Sequence, residues 1–449
     1  MNNKLNEIVE KNSKELIKAL QDMVKIKSVR DTPKKGMPFG EGVCKALNKQ
    51  LEIAEKLGFK VTNVDNYYGY AEYGEGEEYV CALGHLDVVP EGDGWQYGPY
   101  SGQIVDDKLW GRGTIDDKGP INAALFALAA LKESGFKPSK KIRIIFGCDE
   151  ETGCEDMEYY NEREKAPIYG FTPDADFPAI YGEKGILRFE LTTPFDLTGG
   201  SNIKSIAGGI VVNAVPDKAE AVIIGKTCPD AENITCKENA DGSVTVSAKG
   251  SPAHGSIPHT GKNAIGILIK YLVDNNLVEG KEGEKLSFIR KYLCDGTFGA
   301  ELGIDMEDET GSLTMNMGIV DVVDGKLRLH MDLRYPCTKT DKGILETFLA
   351  KLQGFDVENV ENTKPLYVSK ESKLIKTITD VYSEFYDGDS TATAIGGGTY
   401  AKHLHNIVAF GPCIPGEEVV EHTNHEYIKI DHLITLAKIY ANALELLSK

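Results

Sequence analysis

The sequence predicts an α/β domain with a mainly parallel sheet and flanking helices, interrupted by an inserted α+β domain with an antiparallel sheet. Three observations predict it. An apolar strand, an alanine-rich helix and a second apolar strand follow one another from Tyr79 to Gly147, the order of a βαβ unit. After about Gly185 the apolar stretches turn short or alternating, the pattern of an antiparallel sheet with one face covered. From about Lys373 the first texture returns. The boundaries therefore read as 1–185 plus 373–449 for the first domain and 186–372 for the insertion. A chain of 449 residues also exceeds the ~250–300 at which one core stops growing.

Taken in order, two helices open the chain. The second runs from Ser13 to Val24, with Asn12 and Glu15 at capping-box spacing. "YVCALGHLDVVP" reads as a buried strand, Tyr79 to Leu83, ending at Gly84 and His85. "KGPINAALFALAALKESGF" is a helix with Pro120 in its first turn and Gly135 at its end. "KKIRIIFGCDEETG" is another strand, and its carboxylates lie past the C-terminal end. In the insertion, "ILRFELTT", "AEAVIIG", "SVTVSAKG" and "GKLRLHMDLRYP" are strands interleaved with helices such as "AIGILIKYLVDNN". The return consists of the helix "IKTITDVYSEFY", the glycine-rich "AIGGGTYAKHL", the strand "NIVAFGP" and a long final helix after Asp431.

Composition removes several functions. Net charge is −19 with no block of lysine or arginine, which argues against a nucleic-acid partner, whose binding depends on neutralising phosphates. No run reaches the ~18 apolar residues of a membrane span. The polar, amphipathic start lacks the apolar core of a secretory signal, so a cytoplasmic protein without a membrane partner is expected. Nine cysteines are scattered without a Cys-x-x-Cys pair, neither a disulfide framework nor a thiolate zinc site. There is no Gly-x-Ser-x-Gly elbow, and Cys81 sits inside an apolar strand, which disfavours a serine or cysteine hydrolase. A metal, if bound, must be held by imidazole and carboxylate.

Ligands of open α/β sheets bind beyond the carboxyl ends of strands. His85 and Asp87 follow one strand there, Glu150 and Glu151 another; Asp116 and Asp117 precede a helix, and His422 follows "NIVAFGP" by a loop. Brought together, Asp87, Asp116, Glu150, Glu151 and Asp174 cannot all stay ionised without compensating cations. Two divalent ions bridged by a carboxylate would supply them.

"GHLDVVP", "GRGTIDDKGP", "DEETG", "FTPDADFP", "GSPAHGSIP", "LRYP", "GGGTYA" and "EHTNHEY" occur in the order found in dinuclear-metal amidohydrolases. That family includes PepV-type dipeptidases, carnosinases, aminoacylases and succinyl-diaminopimelate desuccinylase. The chain resembles it over essentially its whole length, and "DDKGP" with the long insertion is most similar to the PepV type.

The resemblance implies a catalytic first domain and a lid in the insertion. It implies two divalent metals, zinc before manganese or cobalt, with His85 and Asp174 each on one ion, Asp116 bridging, and Glu151 and His422 completing the second. Glu150 would be the general base towards a metal-activated water, Asp87 would orient His85, and the peptide bond after Asp116 would be cis. His254 would stabilise the oxyanion, Arg334 would grip the substrate carboxylate, Asn213 would contribute to the same pocket, and Gly397 lies where backbone could approach that carboxylate. The implied activity is hydrolysis of dipeptides with a free amino terminus, by a monomer acting on small peptides; deacylation of N-acyl amino acids or N-succinyl-diaminopimelate is the alternative.

Asp176 stands beside Asp174 and His425 beside His422 as rival ligands. His422 is favoured because Glu426 then occupies the place of the family's following glutamate. Asp117 reads as structural. His259, His403, His405 and His432 read as ordinary surface or core residues, and His330 shares a strand face with Asp332 and Arg334.

Overall fold

Every residue of the strand Tyr79–His85 is buried, because it has parallel neighbours on both sides and covered faces, the setting that selects a continuous apolar run. In the computed structural model, which describes residues 2–198 and 201–449, its neighbours are Lys141–Gly147 and Tyr169–Thr172. Ile407–Ala409 adds a fourth parallel strand beside Tyr169–Thr172. Antiparallel strands flank this centre: Tyr68–Tyr73 and then Lys60–Val64 on one side, Ile180–Glu183 on the other. The parallel core and its βαβ unit are as expected; the flanking strands make the whole sheet mixed.

The connecting helix Lys118–Glu133 is buried on nearly every side, as a helix apolar all round must be. It packs on the strands Tyr79–His85 and Lys141–Gly147 and against the helices Ser13–Val24 and Ile430–Leu447. Gly135 follows it in the left-handed region, φ +79°, the usual exit from a helix. The capping box at Asn12 does not form: its side chain makes no cap hydrogen bond, and its amide instead donates to Glu133 at 2.8 Å. The reason is local. Asn12 is a junction between the helices Asn3–Lys11 and Ser13–Val24, and its own N–H already bonds back to Ile8 and Val9.

The chain divides into two compact units. One comprises Met1–Tyr181, Val368–Thr393 and Gly398–Lys449; the other comprises Gly182–Tyr367 and Ala394–Gly397. The second holds an eight-stranded antiparallel sheet in the order Ile234–Glu238, Ser243–Lys249, Lys218–Ile224, Ile203–Gly208, Thr314–Val323, Lys326–Tyr335, Gly185–Pro194, Asp356–Thr363. Period-two alternation sorts its two faces. Leu187, Phe189 and Leu191 join Leu329, Met331 and Leu333 in a core with the helices Ala264–Asp274, Gly280–Leu293 and Ile344–Lys351. Arg188, Glu190, His330, Asp332 and Arg334 belong to the alternate set. No helix among the described residues is long and apolar enough to cross a membrane.

Candidate metal centre

Four loops at the carboxyl ends of the parallel strands bring the ligand candidates of the first unit together. His85 is the last residue of its strand and fully buried. Its Nε2 lies 2.9 Å from Asp116 Oδ1 and 3.9 Å from Asp174 Oδ2. His422, reached by a backbone at φ +60°, sets its Nε2 2.8 Å from Asp116 Oδ2 and 3.2 Å from Glu151 Oε1. Two triads result, His85–Asp116–Asp174 and Asp116–Glu151–His422, each with its ligand atoms within 4.8 Å of one another. Asp116 belongs to both. The Asp116–Asp117 peptide is cis.

The rivals fall elsewhere. His425 faces Glu418 at 3.5 Å, and Asp176 is exposed, on the wall of a cavity of about 420 Å³ shared with Cys413, Glu421 and His432. Asp117 is fully buried and accepts the backbone N–H of His85 through Oδ2 at 3.1 Å, a structural part.

Adjacent glutamates diverge. Glu151 is engaged with His422, whereas the Glu150 carboxylate makes no hydrogen bond or ion pair with any described residue. Both backbone N–H groups donate to the Asp87 carboxylate, at 3.3 Å from Glu150 and 3.1 Å from Glu151. The bond from His85 Nδ1 goes to the Asp87 backbone carbonyl, at 2.9 Å, with the nearer carboxylate oxygen at 3.4 Å. Thus Asp87 steadies the imidazole with its main chain and the glutamate turn with its side chain. That double role has no signature in residue spacing.

The electrostatics report a shortage of positive charge. Burial, then the neighbouring carboxylates Glu151, Asp116 and Asp87 acting against His85, push Glu150 up to about 8. Burial and Asp116 raise Glu151, and the same two causes lift Asp174 well above the carboxylate range. His422 rises to about 10 through its hydrogen bonds to Asp116 and Glu151. For His85, burial opposes the charge, yet bonds to Asp116 and Asp87 carry it well above its ordinary value. Hard oxygen and imidazole donors, paired around a shared carboxylate and each calling for a cation, fit two divalent ions.

Glu426 was noted in the sequence only as a register mark. It is fully buried and accepts from Arg112 Nη1 at 2.6 Å and from the N–H groups of Gly113, Ile115 and Asp116 at 2.9, 3.1 and 3.4 Å. One carboxylate therefore clamps the loop that presents Asp116. The only sequence signal was its position four residues after His422.

In the second unit, the Asn213 carbonyl accepts from Gly255 N at 2.7 Å. His254 is exposed, with Nδ1 2.7 Å from Ser256 Oγ. Arg334, 2% exposed, forks onto Asp332 at 3.0 and 2.8 Å and donates to Gly396 O at 2.8 Å. Gly397 has room for a side chain; its neighbour Gly396 does not, since a Cβ there would fall 2.5 Å from Ser256 Cβ. His330 lies 3.6 Å from Glu190 and 3.9 Å from Asp321.

Residues 81–446 match the model of peptidase family M20/M25/M40. The chain belongs to that family. Among curated proteins, this M20 chain is similar to the Bacillus subtilis protein named "Putative dipeptidase YtjP", 37% identical with 99% of each chain covered. Among solved structures it is similar to aminopeptidase PepT from Bacillus cereus, at TM-score 0.60 and 16% identity over 98% of this M20 chain and 99% of the other. It is also similar to the Bacillus subtilis YXEP protein, described as a dinuclear metal-binding peptidase of the M20 family, at TM-score 0.55 and 10% identity over 98% and 99%. At such identities the two structures speak for the fold.

Proposed function

We propose that the chain hydrolyses the amide bond of dipeptides with a free amino terminus. Family membership and the dipeptidase name of its 37%-identical relative support the reaction class. One observation carries the mechanism: of two adjacent glutamates, Glu151 is tied to the ligand cluster while the Glu150 carboxylate beside it has no hydrogen-bond or ion-pair partner among the described residues.

His85, Asp174 and Asp116 would hold one divalent ion, and Asp116, Glu151 and His422 the other; when bound, such a pair acidifies water and polarises a carbonyl. Glu150 takes the proton from the attacking water as its oxygen bonds to the scissile carbonyl carbon. It then returns that proton to the amide nitrogen as the C–N bond breaks, giving a carboxylate and an amine. A carboxyl group raised towards neutral pH is suited to both transfers. Asp87 keeps His85 and the glutamate turn in register throughout. In the second unit, His254 and Asn213 are the substrate-facing residues of this proposal, together with the Gly397 backbone. Arg334 reaches a substrate carboxylate only by exchanging its Asp332 partner.

Zinc is the proposed ion, with manganese or cobalt as substitutes, since all three accept imidazole and carboxylate. Nine cysteines, none of them in a disulfide, support a reducing, cytoplasmic setting. The large insertion, by its resemblance to the PepV type, supports a monomer.

The test is turnover of dipeptides, longer peptides and N-acyl amino acids by metal-loaded protein, alongside Glu150→Gln. Dipeptides should turn over fastest. Glu150→Gln should keep its bound metal, measured by elemental analysis, while kcat falls by about 10²–10⁴. Faster turnover of the N-acyl substrates rejects the dipeptidase reading, and undiminished kcat removes Glu150 from the mechanism.

A further inference from the structure

Residues 23–30 lie upstream of the part matched by the family model, which begins at residue 81. They nevertheless bond to three of the loops that carry the metal-centre side chains. Lys118, fully buried two residues after Asp116, donates its ammonium to the carbonyls of Ile26 at 2.8 Å and Met23 at 3.3 Å. Ser28 Oγ donates to the carbonyl of Leu86 at 2.6 Å, between His85 and Asp87, and Val88 N donates back to the carbonyl of Ser28 at 3.2 Å. Arg30 Nη1 donates to Asp149 Oδ1 at 2.6 Å and to Thr152 Oγ1 at 3.2 Å, while Nη2 donates to Glu155 at 2.6 Å.

Asp149 is the residue before Glu150, and its side chain has no solvent exposure. Its carbonyl accepts from Gly153 at 3.2 Å and Cys154 at 2.7 Å, and its carboxylate accepts from Glu155 N at 3.1 Å and Thr152 Oγ1 at 2.5 Å. Asp149 thus closes the turn that displays Glu150 and Glu151. One prong of the Arg30 guanidinium holds Asp149 and the other holds Glu155, so a single planar cation ties the two ends of that turn.

The segment is itself pinned. A Cβ on Gly42 would fall 2.1 Å from the carbonyl of Lys27, so the helix Glu41–Lys56 packs directly on its backbone. Asp31 N donates to Phe39 O at 3.2 Å, and the Arg30 guanidinium sits over the Phe39 ring at 5.3 Å.

We propose that residues 23–30 form the frame of the metal centre and that Arg30 is a positioning residue for Glu150 and Glu151, acting through Asp149. The inference rests on the proposed reading of that centre, so its test includes a readout independent of peptide turnover. Full-length wild type, Arg30→Met, Arg30→Lys and Ser28→Ala are loaded with Co²⁺; the visible absorption band, Co²⁺ affinity, melting temperature, and kcat and KM on a dipeptide are compared.

Arg30→Met should change the Co²⁺ band and lower kcat by about 10–100-fold with KM within about twofold, and Arg30→Lys should recover part of both. Ser28→Ala, which loses one hydroxyl and keeps the Val88–Ser28 bond, should bind Co²⁺ about 10-fold more weakly. An unchanged band and kcat in Arg30→Met overturn the proposal. A loss that follows the melting temperature and is not relieved in Arg30→Lys overturns it too. If Arg30→Met fails to fold, wild-type Co²⁺ affinity and band in the other two variants are decisive against the frame. A wild type that binds Co²⁺ but cleaves no dipeptide rejects the dipeptidase reading alone, because the spectral comparison still decides the frame.

Discussion

Nδ1 of His85 donates to a backbone carbonyl, so Nε2, the atom facing Asp116 and Asp174, is the nitrogen that would give up its proton and turn its lone pair to a metal. His422 has no such anchor and points Nε2 at two carboxylates. With its value raised to about 10, His422 holds a proton at neutral pH until an ion displaces it. The metal-free form then binds more protons than the loaded form, so loading releases protons and affinity rises with pH, flattening near pH 10. Calorimetric titration between pH 6 and 8 should show about tenfold tighter binding per pH unit for each proton displaced; affinity that falls as pH rises would refute it. At this scale the sequence was informative where chemistry demands a residue type: the histidines and acids of "GHLDVVP", "DEETG" and "EHTNHEY" are recognisable as donors. It was silent on Arg30 and on the clamping role of Glu426, whose partners lie 119 and more than 300 residues away and leave no spacing to read.

Strand ends decide where the donors sit. Gly84, one residue before His85, has no space for a methyl group: a Cβ would fall 2.1 Å from Asp117 Oδ2, the atom that accepts the His85 N–H. Gly84→Ala must push Asp117 aside and lose that bond, and should destabilise the protein by about 1–3 kcal/mol while weakening metal binding. Chemical denaturation and metal titration of the same variant check both; unchanged values in each would show that the helix Lys118–Glu133 yields more easily than its packing suggests. Apolar runs and the proline and glycine at its ends made the βαβ unit legible. The cap at Asn12 misled because propensity assumes a free helix start, and here a second helix abuts it. The flanking antiparallel strands were missed because neither alternates cleanly: Lys60–Val64 is exposed or half-buried throughout, and Tyr68–Tyr73 runs from buried to half-buried.

For the molecule as a whole, ions that bind the folded chain and not the unfolded one must stabilise it. Removing them with a chelator should lower the melting temperature, by the equivalent of about 2.7 kcal/mol for each site held at a hundred times its dissociation constant. A melting temperature indifferent to chelator would contradict metal loading at these triads. The fold class was readable because the texture of the sequence changes twice along the chain; the exact partners inside the centre were not, since they meet only in three dimensions. The unit that houses the centre is assembled from separate stretches, with Gly182–Tyr367 made in between. A ribosome releases His85, Asp116, Glu151 and Asp174 well before His422 and Glu426. During synthesis the residues of one triad are all present early while the other triad waits for His422, so a polypeptide that stops short of it carries the acids of a hydrolase without the second imidazole.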